Sequence, residues 1–411
     1  MKDKQETTQA KAVRENQGSP FSPQRVASVD VYRGFVMLLM MAEVLSFRHV
    51  SESLPDSSFW RFLYFHQDHV PWVGCSLHDL IQPSFSFLVG VALPYSIASR
   101  KAKGVAFTPM LGSALKRSLI LILLGIFLRS LHSNQTYFTF EDTLTQIGLG
   151  YTFLFLLGFA TQRMQLAAMV LILVGYWAAF AFYPVPADAI NPAVTGVPVN
   201  WEYNLKGFAE HWNKNVNLAW DFDRWFLNLF PREKPFLYNE GGYATLSFIP
   251  TLATMILGLV AGNMLRDNRL AALEKAKRFT IVGVSLLVVS LLIHVAGINP
   301  IVKRIWTPNW VLFSGGCCFL LLAIFYWIID IKNKKKWSFF LMVIGMNSIA
   351  AYVIADGFGA FIQKTLYIHL GQNYDQIFGD AYSTLVKGIL VLTLEWLILY
   401  WMYKKKLFIK I

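Results

Sequence analysis

Between Arg25 and Gly90, two membrane-length apolar segments and their connection carry Asp30, Arg33, Glu43, His69, His78 and Asp79. Ionisable groups are expensive in a bilayer core, so such a cluster marks a site. Asp30 and Arg33 are one helical turn apart, share a face and can neutralise each other, which gives Asp30 a structural role where the first span begins. Glu43 follows about 15 Å farther along a helix, toward the other membrane surface, where a carboxylate must face the bundle or water. In the second segment Asp79, Gln82, Ser86 and Gly90 recur at helical spacing and form one polar stripe, which lines a cavity or packs on a polar partner helix. Just before it runs His66, Gln67, Asp68, His69, Val70, Pro71, Trp72, Val73, Gly74, a loop from which His69 can reach the mouth of that cavity. Imidazoles are the natural acid-base groups near neutral pH.

The elements that hold these residues follow from composition. The chain has 411 residues, 55% hydrophobic and only 15% charged, the balance of a multi-pass membrane protein. Apolar runs of about 20 residues, the length a bilayer core requires, fall near 29–47, 77–98, 111–131, 144–161, 166–183, 244–265, 279–297, 309–329, 338–362 and 384–403. The expected fold is an all-α integral membrane bundle of about ten transmembrane helices. Residues 1–24 read as a disordered cytoplasmic tail, polar and mixed in charge, and 25–411 as one multi-pass domain with a long outer loop at 184–243. No apolar region precedes Phe35, so no cleavable signal peptide is expected. Most of the 37 Lys and Arg fall in the tail, in the 99–117, 162–165, 266–278 and 330–337 loops and in the C-terminal tail, which places both termini in the cytoplasm of a cell that carries the protein in its (inner) membrane. All eight histidines then fall on the outer half.

The net charge of +12 alternates with topology, as anchors beside an anionic leaflet would, and so implies a lipid bilayer and no nucleic acid. Cys75, Cys317 and Cys318 lack metal-ligand spacing, and no metal is expected. Four tryptophans in the long loop, Trp201, Trp212, Trp220 and Trp225, suit a carbohydrate surface or an interfacial belt. Gly258 and Gly262, spaced as GxxxG, offer a face for a homo-oligomer.

The stretch RVASVDVYRGFVMLLM, with Ser28, Asp30, Arg33 and Gly34, resembles the opening signature of the heparan-alpha-glucosaminide N-acetyltransferase family, and further blocks agree in order. These are His69 to Gly74 with Asp79 to Pro83 and Phe87 to Gly90; Leu144 to Ile147; Glu240, Gly241, Ile249, Pro250 and Gly258; Asn299 to Thr307; and Gly345 to Ser348. The resemblance spans about 25–355 and implies transfer of an acetyl group from acetyl-CoA, the acyl donor, to an amino sugar or related carbohydrate acceptor. It matches the family's catalytic histidine to His69 and its second-span aspartate to Asp79. Under that reading His69 is the general base or a transient acyl carrier, and Asp79 or Glu43 orients its imidazole. Arg33, Lys116 and Arg117 would meet the phosphates of coenzyme A, and Trp72, Gln82, Asn299, Lys303 and Asn347 would face the substrate. Two departures stand out: Glu43 or its neighbour replaces the usual amide near the outer end of the first span, and Leu144, Thr145, Gln146, Ile147 replaces a Leu-Gln-Arg-Ile block. Two rival activities remain: a membrane transporter for N-acetylglucosamine or a related sugar, and an O-acyltransferase of an envelope polysaccharide.

Overall fold

A computed structural model describes residues 26–185 and 191–409; the expected disordered tail lies outside them. All ten apolar runs are helical. In chain order the labelled helices are α1 (Ala27–Met41), α2 (Phe47–Ser53), α3 (Ser58–Gln67), α4 (Ile81–Ala102), α5 (Phe107–Ser130), α6 (Thr143–Leu157) and α7 (Gln162–Ala181). After the long connection containing α8 (Leu218–Phe226) come α9 (Phe248–Arg266), α10 (Ala272–Val295), α11 (Pro308–Phe325), α12 (Phe339–Met346), α13 (Ser348–Leu370) and α14 (Ser383–Lys404). Among the described residues no strand is present beyond one isolated bridge, so the molecule is an all-α membrane bundle.

The count of spans is finer-grained than the hydropathy runs suggest. Among the described residues seven helices are long and apolar enough to cross a membrane, and the pair Lys336–Met346 and Ser348–Leu370, bent by 71°, makes an eighth if it is counted as one span. The two remaining runs form helices of 15 residues each, α1 and α6, about 22 Å long at 1.5 Å per residue. Met40, near the end of α1, and Thr143, the first residue of α6, line one cavity.

Close backbone contacts fix this arrangement. A Cβ on Gly90 would lie 2.0 Å from the Met255 carbonyl oxygen, and one on Gly258 would lie 1.9 Å from that of Phe87. The α4 and α9 backbones therefore touch where the small residues lie. Gly262 likewise abuts Val91. The GxxxG pair expected to offer an oligomer face is thus consumed inside the chain.

A second apolar cluster roofs the cavity end. The fully buried Trp72 inserts into it and its Nε1 donates to the Trp212 carbonyl oxygen at 3.0 Å, pinning the long connection onto the 70–74 loop. Trp212 and Trp220 are buried, Trp201 packs edge-on to Trp72, and only Trp225 of the four tryptophans is largely exposed. Half of the presumed carbohydrate or interfacial surface is therefore core.

Candidate active site

The site begins with a carboxylate at a helix entrance. Ser76 precedes the helical turn that opens α4, and its backbone N–H and hydroxyl both donate to Asp79 Oδ2, at 3.0 and 3.1 Å, while the Val70 N–H donates to the same oxygen at 3.2 Å. This leaves Oδ1 for His69, whose Nδ1 lies 2.8 Å away. Asp79 is 1% exposed and carries only acceptors here, so Nδ1 bears the proton and Nε2 keeps its lone pair.

Lys303 reaches this pair from the loop before α11. Thr307 builds that loop: its hydroxyl donates to the Pro300 carbonyl oxygen at 2.8 Å and accepts from the Val302 and Trp310 N–H groups, capping α11 ahead of Pro308. An antiparallel bridge between Val73 and Val302, with the Gly74 N–H donating to the Ile301 carbonyl oxygen at 3.1 Å, then locks the histidine loop against the lysine loop. Gly74 turns there with φ +118°, a conformation side chains resist. The ammonium of Lys303 comes to lie 3.3 Å from Asp79 Oδ1 and 3.0 and 3.4 Å from His69 Nδ1 and Nε2. Since Nδ1–H is itself a donor, the lysine bonds the carboxylate and can turn a second N–H toward Nε2. Burial depresses the His69 pKa below its ordinary 6.5, with the Lys303 and Arg304 charges adding to that and Asp79 opposing it. Such a histidine is neutral at pH 7.

Arg304 braces the site from outside. Its guanidinium donates to the Gly241 and Val70 carbonyl oxygens, at 2.9 and 3.2 Å, and lies over the Tyr243 ring at 5.0 Å. One side chain thereby ties three segments together.

The cavity in front of His69 has a volume of about 240 Å³. His69, His78, Gln82, Tyr243 and Lys303 line it together with Arg129, Glu141, Asp142 and Tyr352. Asp142 is held there by capping α6, accepting from the Leu144 and Thr145 N–H groups. The His69 and His78 rings are 4.6 Å apart between centroids.

Of the residues expected at a site, the fold brings His69, Asp79, Gln82 and Lys303 together. Glu43 sits at the edge, largely exposed and 3.9 Å from His78 Nε2, so it touches the second histidine and not the first. The remaining positions diverge from the expectation. Trp72 is sealed in the roof. Asn299 is buried against Asn309, accepting its N–H at 2.9 Å to shape the start of α11. Arg33 pairs with Asp30 at 3.4 Å near the start of α1, the end away from the cavity, as the structural reading of Asp30 requires. Lys116 is exposed, and Arg117 stacks on Tyr151 in a separate small cavity that Arg100 also lines.

Asn347 lies at the bend between α12 and α13, where it donates to the Leu407 carbonyl oxygen at 2.8 Å and accepts the Ile409 N–H at 3.1 Å. It clasps the C-terminal tail. Asn347→Ala should cost about 1–3 kcal/mol by leaving those groups unpaired, read as a lowered midpoint of thermal unfolding together with faster proteolysis of the tail and an unchanged His69 site.

The sequence places His78 in the ionisable cluster without a role, and gives no role to Arg129, Tyr243, Arg304 or Tyr352. Arg129 had a signal, a cation at the histidine-rich end of its span, against the charge bias. Tyr352 had none, because a tyrosine in an apolar run reads as packing.

No family model matches the chain. It is 24% identical over 95% of its length to the heparan-alpha-glucosaminide N-acetyltransferase of Homo sapiens and, at the same identity and coverage, to that of Mus musculus. The chain spans about 60% of the length of these curated relatives. The similarity runs along almost the whole of this chain, where the motif blocks lie.

Proposed function

We propose, from that kinship and from the cavity chemistry, that this membrane protein transfers an acetyl group from acetyl-CoA to the amine of an amino sugar or related carbohydrate, at the outer face of the membrane with both termini cytoplasmic. The observation that carries the reading is His69: neutral, oriented through Nδ1 by a buried carboxylate, and presenting Nε2 beside a cation in a polar cavity.

In this mechanism the acceptor amine attacks the thioester carbonyl carbon and His69 Nε2 takes the proton that the nitrogen loses. Asp79 stabilises the imidazolium as it forms. Lys303 donates to the carbonyl oxygen, where negative charge develops. The C–S bond then breaks, and the imidazolium returns its proton to the departing thiolate, leaving coenzyme A and the amide. Gln82, Arg129, Glu141 and Tyr352 supply the polar contacts for the acceptor.

The test is incubation of the purified protein in lipid nanodiscs with acetyl-labelled coenzyme A and glucosamine, N-acetylglucosamine or a sugar bearing only hydroxyls. Label on glucosamine alone is the expected result. Label on the hydroxyl-only sugar would replace the reading with O-acylation. Uptake of N-acetylglucosamine into vesicles with no label on any acceptor would replace it with transport.

A further inference from the structure

The opposite end of the bundle holds a second cavity, of about 630 Å³, where the last turn of α9 meets the first turns of α10 and the start of α7. Its polar lining is Gln162, Asn263, Asp267 and three guanidinium groups, those of Arg266, Arg269 and Arg278. The 19-residue α9 separates it from the His69 site by roughly 28 Å, through a segment whose residues are nearly all buried. The two cavities are distinct sites.

We propose that this cavity binds the phosphate headgroup of an anionic phospholipid. Three guanidinium groups against the carboxylates of Asp267 and Glu274 leave it net positive, and the ion pairs hold two of the three in place. Arg269 donates from Nε and Nη2 to the two Asp267 oxygens, at 2.9 and 2.8 Å, which spends one edge of its fork and leaves the other open. Arg278 is steadied by Glu274 at 2.8 Å. Arg266 stands over Tyr95 at 5.8 Å and has no carboxylate partner among the described residues. The turn that presents all three is held by the buried Lys275, whose Nζ donates to the Leu265 carbonyl oxygen at 2.6 Å and caps α9.

What selects a lipid over a soluble phosphate is the surface next to the cavity. Ile281 lines it, and from there Val284, Val288 and Leu291 continue along α10 as an exposed apolar row, on a helix only 17% buried. Val170 and Val174 of α7, the helix whose Gln162 lines the cavity, are also exposed. The cavity therefore sits where the polar boundary of the membrane meets its apolar belt, so a headgroup among the arginines leaves its acyl chains along α7 and α10. Basic recesses between spans recognise anionic headgroups by this combination.

The test uses the full chain in neutral detergent, titrated with phosphatidylglycerol, phosphatidylcholine or inorganic phosphate, and read by native mass spectrometry and thermal unfolding. Phosphatidylglycerol should give retained adducts and a raised midpoint, and the combined Arg266→Gln, Arg269→Gln, Arg278→Gln variant should weaken that binding at least tenfold. Arg266→Gln alone breaks no ion pair and should weaken it severalfold, which serves if the triple variant does not fold. An equal response to phosphatidylcholine, undiminished binding by Arg266→Gln, or the same shift with inorganic phosphate would overturn the proposal. Acetyl transfer plays no part in the readout.

Discussion

His69→Gln should lower acetyl transfer by about 10²- to 10⁴-fold, the range a positioned general base contributes, while leaving the protein folded. The substitution is chosen for what it keeps. A glutamine amide still donates a hydrogen bond toward Asp79 Oδ1 and fills most of the volume of the imidazole, so the carboxylate retains its Ser76 and Val70 donors and its ion pair with Lys303. It loses only the lone pair with a useful pKa. The thermal midpoint should therefore move little, and the Michaelis constant for the amine should change less than the turnover number, because the lost interaction belongs to the transition state. Label transfer from acetyl-coenzyme A under saturating acceptor measures this directly. A variant retaining a tenth or more of the wild-type turnover would remove His69 from the chemistry and shift attention to His78, the neighbouring imidazole in the same cavity.

The parts of this site that were legible in the sequence are those where local spacing and chemistry agree. The stripe of Asp79 and Gln82 is set by helical periodicity, and both residues are where that spacing puts them. Lys303 lies in a motif block at the histidine-rich end, where a lysine opposes the charge bias. Asn347 and Asn299 looked alike in sequence, as polar residues in motif blocks, yet each satisfies backbone groups at a break or start of a helix. A buried amide that pairs main-chain atoms and one that contacts substrate have the same composition. Only the register of a distant segment separates them, and that register comes from long-range packing. The cavity itself was invisible for a related reason. It opens beside the end of α1, and a hydropathy run gives no sign of where an α-helix ends when apolar residues continue past it, as they do around Val44 and Leu45.

Removing the charge of Lys303 by Lys303→Met tests how the site sets its own protonation. In the native protein His69 has a pKa below 6.5, so turnover should fall on the acid side with a midpoint below 6.5 as Nε2 takes up a proton. The same depressed pKa means that the folded state binds fewer protons than the unfolded chain near this histidine. Stability from this group is therefore unperturbed above 6.5 and is lost as pH falls below it. With methionine at 303 the cation that opposes protonation is gone while Asp79, which favours it, remains. The acid limb should move to higher pH, and the loss of stability on acidification should shrink. The plateau rate should also fall, by about 10²- to 10³-fold, if the ammonium donates to the developing oxyanion. A buried pair broken on one side costs about 3–5 kcal/mol, an upper range here because Asp79 keeps its other donors. These effects separate in a pH–rate profile run beside pH-dependent thermal unfolding. A plateau loss with an unmoved limb would make Lys303 an electrophile alone, whereas a shifted limb with an intact plateau would make it a positioning and tuning residue for His69.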